Sequence, residues 1–212
     1  MRKQLLNDKT FLEVEDFGAG SAITKTNTRS IASIAKNAAK PEKFGQLLFR
    51  MIKYYQPGTI IELGTSLGIT ASYFSFAKPG AKLITMEGAK EIAEIAIQNF
   101  KTNGLNNIEL VKGNFDETLS SVLNRFSAID FVFIDGNHRQ GPTERYFQQL
   151  LAKINNESIL VFDDIHWSKE MEAAWENIKQ YPAVTCSIDL FFIGMVFFRK
   201  EFKEKQHFAI RV

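Results

Sequence analysis

Cysteine is almost missing from this chain: Cys186 is the only one among 212 residues. A lone thiol excludes an internal disulfide and a cysteine-built metal cage. Net charge is also small, +2 at neutral pH, which weighs against nucleic acid as the main partner. No apolar run approaches membrane-spanning length. The opening "MRKQLLNDKTFLEVEDF" lacks the apolar core of a signal peptide, so no membrane partner and a cytoplasmic location are expected. Repeats, low-complexity tracts and Pro/Gly-rich linkers are absent as well.

What is present is the composition of a globular domain, 45% apolar and 24% charged, long enough for one full core. Phenylalanine is heavily used, 19 copies, which calls for a bulky core or an apolar pocket. Residues 1–40 are mostly polar and weakly periodic until Ile31, Ile34, Ala35 and Ala38 fall at helical spacing behind a capping Ser30. A second helix starts near Pro41, with Phe44, Leu47, Leu48, Met51, Ile52 and Tyr55 on one stripe and "QPG" as its stop.

From Thr59 the rhythm changes. Short apolar runs ("TIIEL", "AKLITMEG", "NIELVKG", "IDFVFIDG", "SILVFDD") alternate with amphipathic helical stretches. Two last strands, "AVTCSID" and "FIGMVFFRK", have no helix between them. This alternation predicts an α/β fold with a Rossmann-like, doubly wound, seven-stranded sheet. It is mostly parallel with an antiparallel last strand, and helices cover both faces. The expected organisation is an N-terminal helical or lid segment, 1–40, followed by a main domain, 41–212.

Two stretches read as an acid followed by a glycine turn, "VEDFGAGS" at Val14–Ser21 and "IELGTSLG" at Ile61–Gly68. The second has the right surroundings: a strand before it, a helix after it, and a next strand ending in Glu87, 23 residues beyond Gly64. An acid at that strand tip suits ribose hydroxyls. The first lacks them, and its Gly18 and Gly20 suit a mobile entry segment or a plain surface turn. Dinucleotide loops need G-x-G-x-x-G so that pyrophosphate can meet bare backbone. Here Ser66 replaces the middle glycine, which disfavours a nicotinamide cofactor and favours one with ribose but no phosphate. S-adenosylmethionine (SAM) is such a ligand, and Glu62 is placed to help hold its ammonium group.

The motifs "IIELGTSLGIT", "ITMEG", "VKGNF", "FVFIDGNH" and "LVFDDIH" resemble those of class I SAM-dependent methyltransferases. More narrowly, the chain is similar to the catechol O-methyltransferase-like group and to macrolide-sugar O-methyltransferases, from about Phe44 to Arg199. The resemblance implies that Gly64, Thr65, Ser66 and Gly68 line the SAM tail and that Glu87 binds its ribose. It implies that Gly113, Asn114 and Phe115 lie near the adenine, although a core role for Phe115 is an even alternative. Asp135 is placed by it against both cofactor and metal.

Carboxyl ends of strands in a parallel sheet form the ligand crevice, which delivers Asp135, Asp163 and Asp164 to one rim. Three carboxylates there repel one another unless a cation sits among them, and Mg²⁺ takes such oxygens. Metal-dependent relatives use acids at these tips, with an amide where this chain has Asp164. The alternative is that Asp163 or Asp164 caps the helix beginning near Ser168. His138 is the candidate general base, by the resemblance and because imidazole titrates near neutrality. His166 suits a substrate contact or a surface position, and His207 a structural one.

The expected function is SAM-dependent, Mg²⁺-assisted O-methylation of a small hydroxylated acceptor, with association into a homodimer left open. A non-catalytic SAM-binding protein and a tRNA-modifying methyltransferase stand as alternatives.

Overall fold

In a computed structural model the described residues are 1–14, 28–37 and 42–211. The glycine turn containing Gly18 and Gly20, together with Ala38 and Pro41, lies outside them. The chain divides into two compact units, Met1–Thr118 and Leu119–Val212.

The first unit opens with helix α1 (Arg2–Leu5), strands β1 (Phe11–Glu13) and β2 (Thr28–Ser30), and helix α2 (Ile31–Asn37). β1 and β2 form an antiparallel ribbon that the sequence rhythm did not reveal, with Leu12 opposite Arg29. Ser30 caps α2 as expected, its Oγ accepting the Ser33 N–H at 3.2 Å. Helix α3 (Glu42–Tyr55) follows and buries Phe44, Leu48, Met51 and Ile52, the spacing of one helical face. Strands β3 (Thr59–Leu63), β4 (Lys82–Glu87) and β5 (Ile108–Lys112) pair in parallel in that order, linked by α4 (Ile69–Ala77) and α5 (Lys90–Thr102).

The N-terminal elements are not a separate body. Leu5, Leu12, Val14, Ile31, Ile34 and Ala35 share one buried cluster with Leu67, Ala89 and Ile92. Each larger side chain so buried contributes roughly 1.5–3 kcal/mol. A two-stranded ribbon and a seven-residue helix have little stability of their own, so this packing is what orders them.

Helix α6 (Phe115–Leu123) runs across the boundary into the second unit. There, β6 (Phe131–Ile134), α7 (Gln140–Leu151), β7 (Ile159–Asp163), α8 (Lys169–Gln180), β8 (Cys186–Asp189), β9 (Ile193–Phe197) and β10 (Gln206–Ala209) follow. β6 and β7 are parallel, β9 is antiparallel to β7, and β8 is antiparallel to β9. The helix-free last pair is thus the hairpin expected. β10 was not expected: it adds in parallel to β8, so the two units carry eight such strands rather than seven. All four residues of β10 are exposed, and that lack of an apolar face is why the pattern hid it.

Phenylalanine is explained chiefly by this unit's core. Phe131, Phe133, Phe147 and Phe162 are fully buried with Tyr146 and Trp175. Gly194 leaves the room Trp175 takes, since a Cβ there would sit 2.7 Å from Cη2 of the indole. The fold class is the α/β class expected. Among the described residues no helix is long and apolar enough to cross a membrane.

Candidate functional site

In the first unit the turn after β3 is built from left-handed backbone. Gly64 has φ +105°, Ser66 +46° and Gly68 +79°. Glycine adopts this region freely, whereas serine does so at about 1 kcal/mol or more. The Ser66 strain is held by a specific partner: its N–H donates to Glu87 Oε2 at 2.8 Å. Glu87 Oε1 accepts the Ala89 N–H at 2.9 Å. A carboxylate oxygen has two lone pairs and only accepts, which is the chemistry ribose hydroxyls require of a partner. Gly64 and Thr65 donate to the Met86 carbonyl, and Gly113 to that of Glu87, each at about 3.0 Å. Gly68 is required twice over, by its φ and because a Cβ would lie 2.7 Å from Phe100 Cζ.

Glu62 is fully buried, and its carboxylate accepts the Thr85 hydroxyl. The parallel register puts Glu62 beside Thr85, which dictates that pairing. Thr65, 2% exposed, meets the same hydroxyl at 2.6 Å. With the Thr85 proton given to Glu62, Thr65 is the donor. The Glu62–Thr85–Thr65 chain therefore braces the turn from inside the sheet. Thr85 was overlooked, although a polar residue within "LITME" was a signal.

Gly113 has φ +131°, and Asn114 begins α6: its Oδ1 accepts the Asp116 N–H at 3.0 Å and its carbonyl the Thr118 N–H at 3.0 Å. Asn114 is a helix cap first. Phe115 is half-buried, outside the core proper. These residues and Glu87 adjoin through backbone pairing of β4 with β5.

In the second unit His138 follows β6. Its Nε2 lies 3.4 Å from Asp135 Oδ1, both side chains being about three-quarters buried. Asn137 and His138 both have left-handed backbone, φ +70° and +44°. Consecutive non-glycine residues in that region persist only where surroundings enforce them, a frequent sign of a functional loop. Trp167 packs beside His138 with ring centroids 5.9 Å apart.

The acids past β7 do not behave as a metal set. Asp163 is 1% exposed within the strand, facing Ile193 in register. Asp164 adopts φ +55°, and its N–H is tied to the Phe192 carbonyl at 2.7 Å. Among the described residues no group of three or more His, Cys, Asp or Glu side chains is arranged to hold a metal ion. The expected Asp135–Asp163–Asp164 site is therefore not assembled. Nor do the aspartates cap α8, since Ser168 does so, its Oγ accepting the Met171 N–H at 3.2 Å.

The second unit instead organises around Asp189, which the sequence reading passed over although it too is an acid at a strand tip. Its Oδ2 meets His166 Nε2 at 2.8 Å and Trp175 Nε1 at 3.1 Å. Its Oδ1 accepts the Phe191 N–H at 2.7 Å. Burial acts to raise the Asp189 pKa, but the hydrogen bond from His166, the Phe191 amide, the attraction of His166 and the Trp175 indole outweigh it. The carboxyl is held below its ordinary range. An ionised carboxylate only accepts, so Nε2 of His166 carries a proton. His166 is therefore a braced residue, not a free surface one. Phe191 stacks on it at 5.3 Å, and Trp167, Phe191 and Phe192 are 44%, 61% and 46% exposed. His207 sits in β10 with Nδ1 2.7 Å from Ser187 Oγ, as suits a structural role.

With this geometry in hand, comparisons with known proteins are informative. Residues 61–165 match the family model described as a methyltransferase domain. An uncharacterized protein of Acanthamoeba polyphaga mimivirus is 27% identical over 129 residues, 57% of this chain. The match spans 58% of that relative's length. Among solved structures, the SAH-bound methyltransferase PaMTH1 of Podospora anserina aligns with a TM-score of 0.69 at 15% identity. That alignment covers 78% of this chain and 82% of PaMTH1. The O-methyltransferase TomG of Streptomyces achromogenes, solved with SAM, aligns with a TM-score of 0.66 at 20% identity. It covers 77% of this chain and 82% of TomG. At such identities the structures establish the fold alone.

Proposed function

We propose that this chain is a SAM-dependent O-methyltransferase for a small hydroxylated acceptor, a reading supported by the match of residues 61–165 to the methyltransferase-domain family model. The observation that carries the reading is the Ser66–Glu87 pair: a left-handed turn locked to an acid at the tip of the next strand. The SAM- and SAH-bound states of structurally similar enzymes support the same cofactor.

The residues present suit SAM. The Glu87 carboxylate is an acceptor of the kind a ribose diol needs, and Gly64 and Gly68 present bare backbone where the amino-acid tail would run. Half-buried Phe115 offers an apolar face for adenine. When bound, SAM supplies an electrophilic methyl on a sulfonium. In the transfer the S–CH₃ bond breaks, an O–CH₃ bond forms, and the acceptor's hydroxyl proton must leave. His138 is assigned to take that proton at Nδ1, with the Asp135 carboxylate beside Nε2 stabilising the imidazolium. Exposed Trp167, Phe191 and Phe192 favour an acceptor with apolar surface.

Magnesium assistance was expected from three converging aspartates. The described arrangement does not fit that set, and no step is routed through a metal. The test of the reading is direct: calorimetry with SAM and with S-adenosylhomocysteine (SAH), then a screen of hydroxylated compounds with methyl-labelled SAM. Absence of SAM and SAH binding by folded protein rejects it. Binding without transfer to any acceptor, and with His138 dispensable, would favour a non-catalytic SAM-binding protein.

A further inference from the structure

We propose that the N-terminal segment is a clamp on the cofactor turn, so that its docking and cofactor occupancy are thermodynamically linked. This rests on the methyltransferase reading. The observation is where its apolar side chains go. Leu5, Leu12, Val14, Ile31, Ile34 and Ala35 pack on Leu67, Ala89 and Ile92.

Those three receiving residues are next to the groups assigned to the cofactor. Leu67 lies between Ser66 and Gly68 and is 2% exposed. Ala89 is the residue whose N–H reaches Glu87 Oε1. Ile92 is in the first turn of α5, and the neighbouring Glu91 is bound as well, its Oε2 accepting the Glu13 N–H of β1 at 2.7 Å. At the other side of the turn, Ser72 Oγ reaches Met1 Sδ at 3.8 Å while donating to the Gly68 carbonyl at 2.6 Å. The segment thus grips the turn near Gly68, Leu67 and Glu87 together.

The physical consequence follows from the backbone of the turn. Ser66 holds φ +46° only because its surroundings over-determine it. Two of those constraints are the Glu87 carboxylate and the burial of Leu67. Undocking the segment would expose Leu67 and release the second, and the turn would then sample ordinary backbone angles with the Ser66 N–H turned from Glu87. A ligand that needs the strained turn would bind the docked state better, and by linkage would favour docking to the same extent.

The test uses the full chain and SAH as probe. Hydrogen exchange of residues 1–14 and 28–37 is measured with and without SAH, and SAH affinity is measured for Leu12→Ala/Ile34→Ala and for the conservative Leu12→Met. The expected results are slower exchange in those residues on SAH addition, SAH affinity reduced about tenfold or more in the double alanine variant, and near-wild-type affinity in Leu12→Met. KM for SAM should rise while that for the acceptor stays put. SAH binding by the wild type with no change in exchange there, or with unaltered affinity in a folded double variant, overturns the clamp alone. No SAH binding by the wild type overturns the methyltransferase reading and the clamp with it. Should the double variant fail to fold, the exchange measurement on the wild type decides.

Discussion

Glu87 Oε2 accepts the backbone N–H of Ser66 at 2.8 Å, across 21 residues of chain. The acid that sequence spacing marked for ribose is therefore also the anchor of the turn it serves. One side chain thus sets the shape of the turn and, on the proposed function, would offer the ligand its charge. Replacing it disturbs both, which is why the conservative amide is the more informative change.

Glu87→Gln keeps an acceptor oxygen and a similar shape but loses the charge. SAH binding should weaken by roughly 1.5–3 kcal/mol, the loss expected for charge-assisted hydrogen bonds. Titration calorimetry reads this directly. Wild-type affinity in this variant would mean the cofactor's ribose lies elsewhere.

His138→Ala should leave SAH affinity unchanged and slow methyl transfer by about 10²–10⁴-fold. Its residual rate should climb with pH, because solvent hydroxide then does the work of the missing base. A rate close to wild type, or a flat profile, would remove His138 from proton transfer. Because Asp135, Asp163 and Asp164 are not gathered into a cation site, a chelator such as EDTA should leave wild-type turnover unaltered. Activity lost with the chelator and restored by Mg²⁺ would show that the acids rearrange around a metal.

Gly68→Ala meets two obstacles at once, a backbone angle of +79° and Phe100 packed where the methyl would go. The expected loss is about 1–3 kcal/mol, seen as a lower Tm and a weaker cofactor turn. Gly80, with nothing within 4 Å of a built Cβ, is the control: Gly80→Ala should change Tm little.

Asp189 gathers donors from His166, Trp175 and Phe191. Asp189→Ala should cost about 1–3 kcal/mol by leaving partly buried donors without their acceptor. The sign of the pH effect follows from the depressed native pKa. Its contribution is present above the ordinary value of 3.8 and fades as pH falls below that value through the lower native one. Wild type should therefore lose stability in that acid range, and the variant should lose less over the same range in chemical denaturation. Parallel pH profiles would contradict the assignment.

What the sequence determined by itself was local. Apolar runs alternating with amphipathic stretches from Thr59 onward specified the strands and helices, because side-chain periodicity is written into neighbouring residues. Glycine spacing marked the turn at Gly64–Gly68, and an acid at the expected distance marked Glu87, since backbone angles and strand ends are also local matters. The tertiary structure decided whatever depends on residues far apart. Register placed Thr85 beside Glu62 and so built an internal brace behind the turn. Strand geometry kept Asp163 buried while Asp164 was drawn to the Phe192 carbonyl, so three acids counted along the chain never became a cation site. Trp175 and His166 came to share Asp189 as acceptor, and Phe191 to stack on the His166 ring. Residues 1–37 showed weak periodicity because their few apolar side chains, such as Leu12 and Ile34, are completed by Leu67 and Ile92. A buried face shared between distant segments leaves only half of its pattern in either one, and folding is what joins the halves.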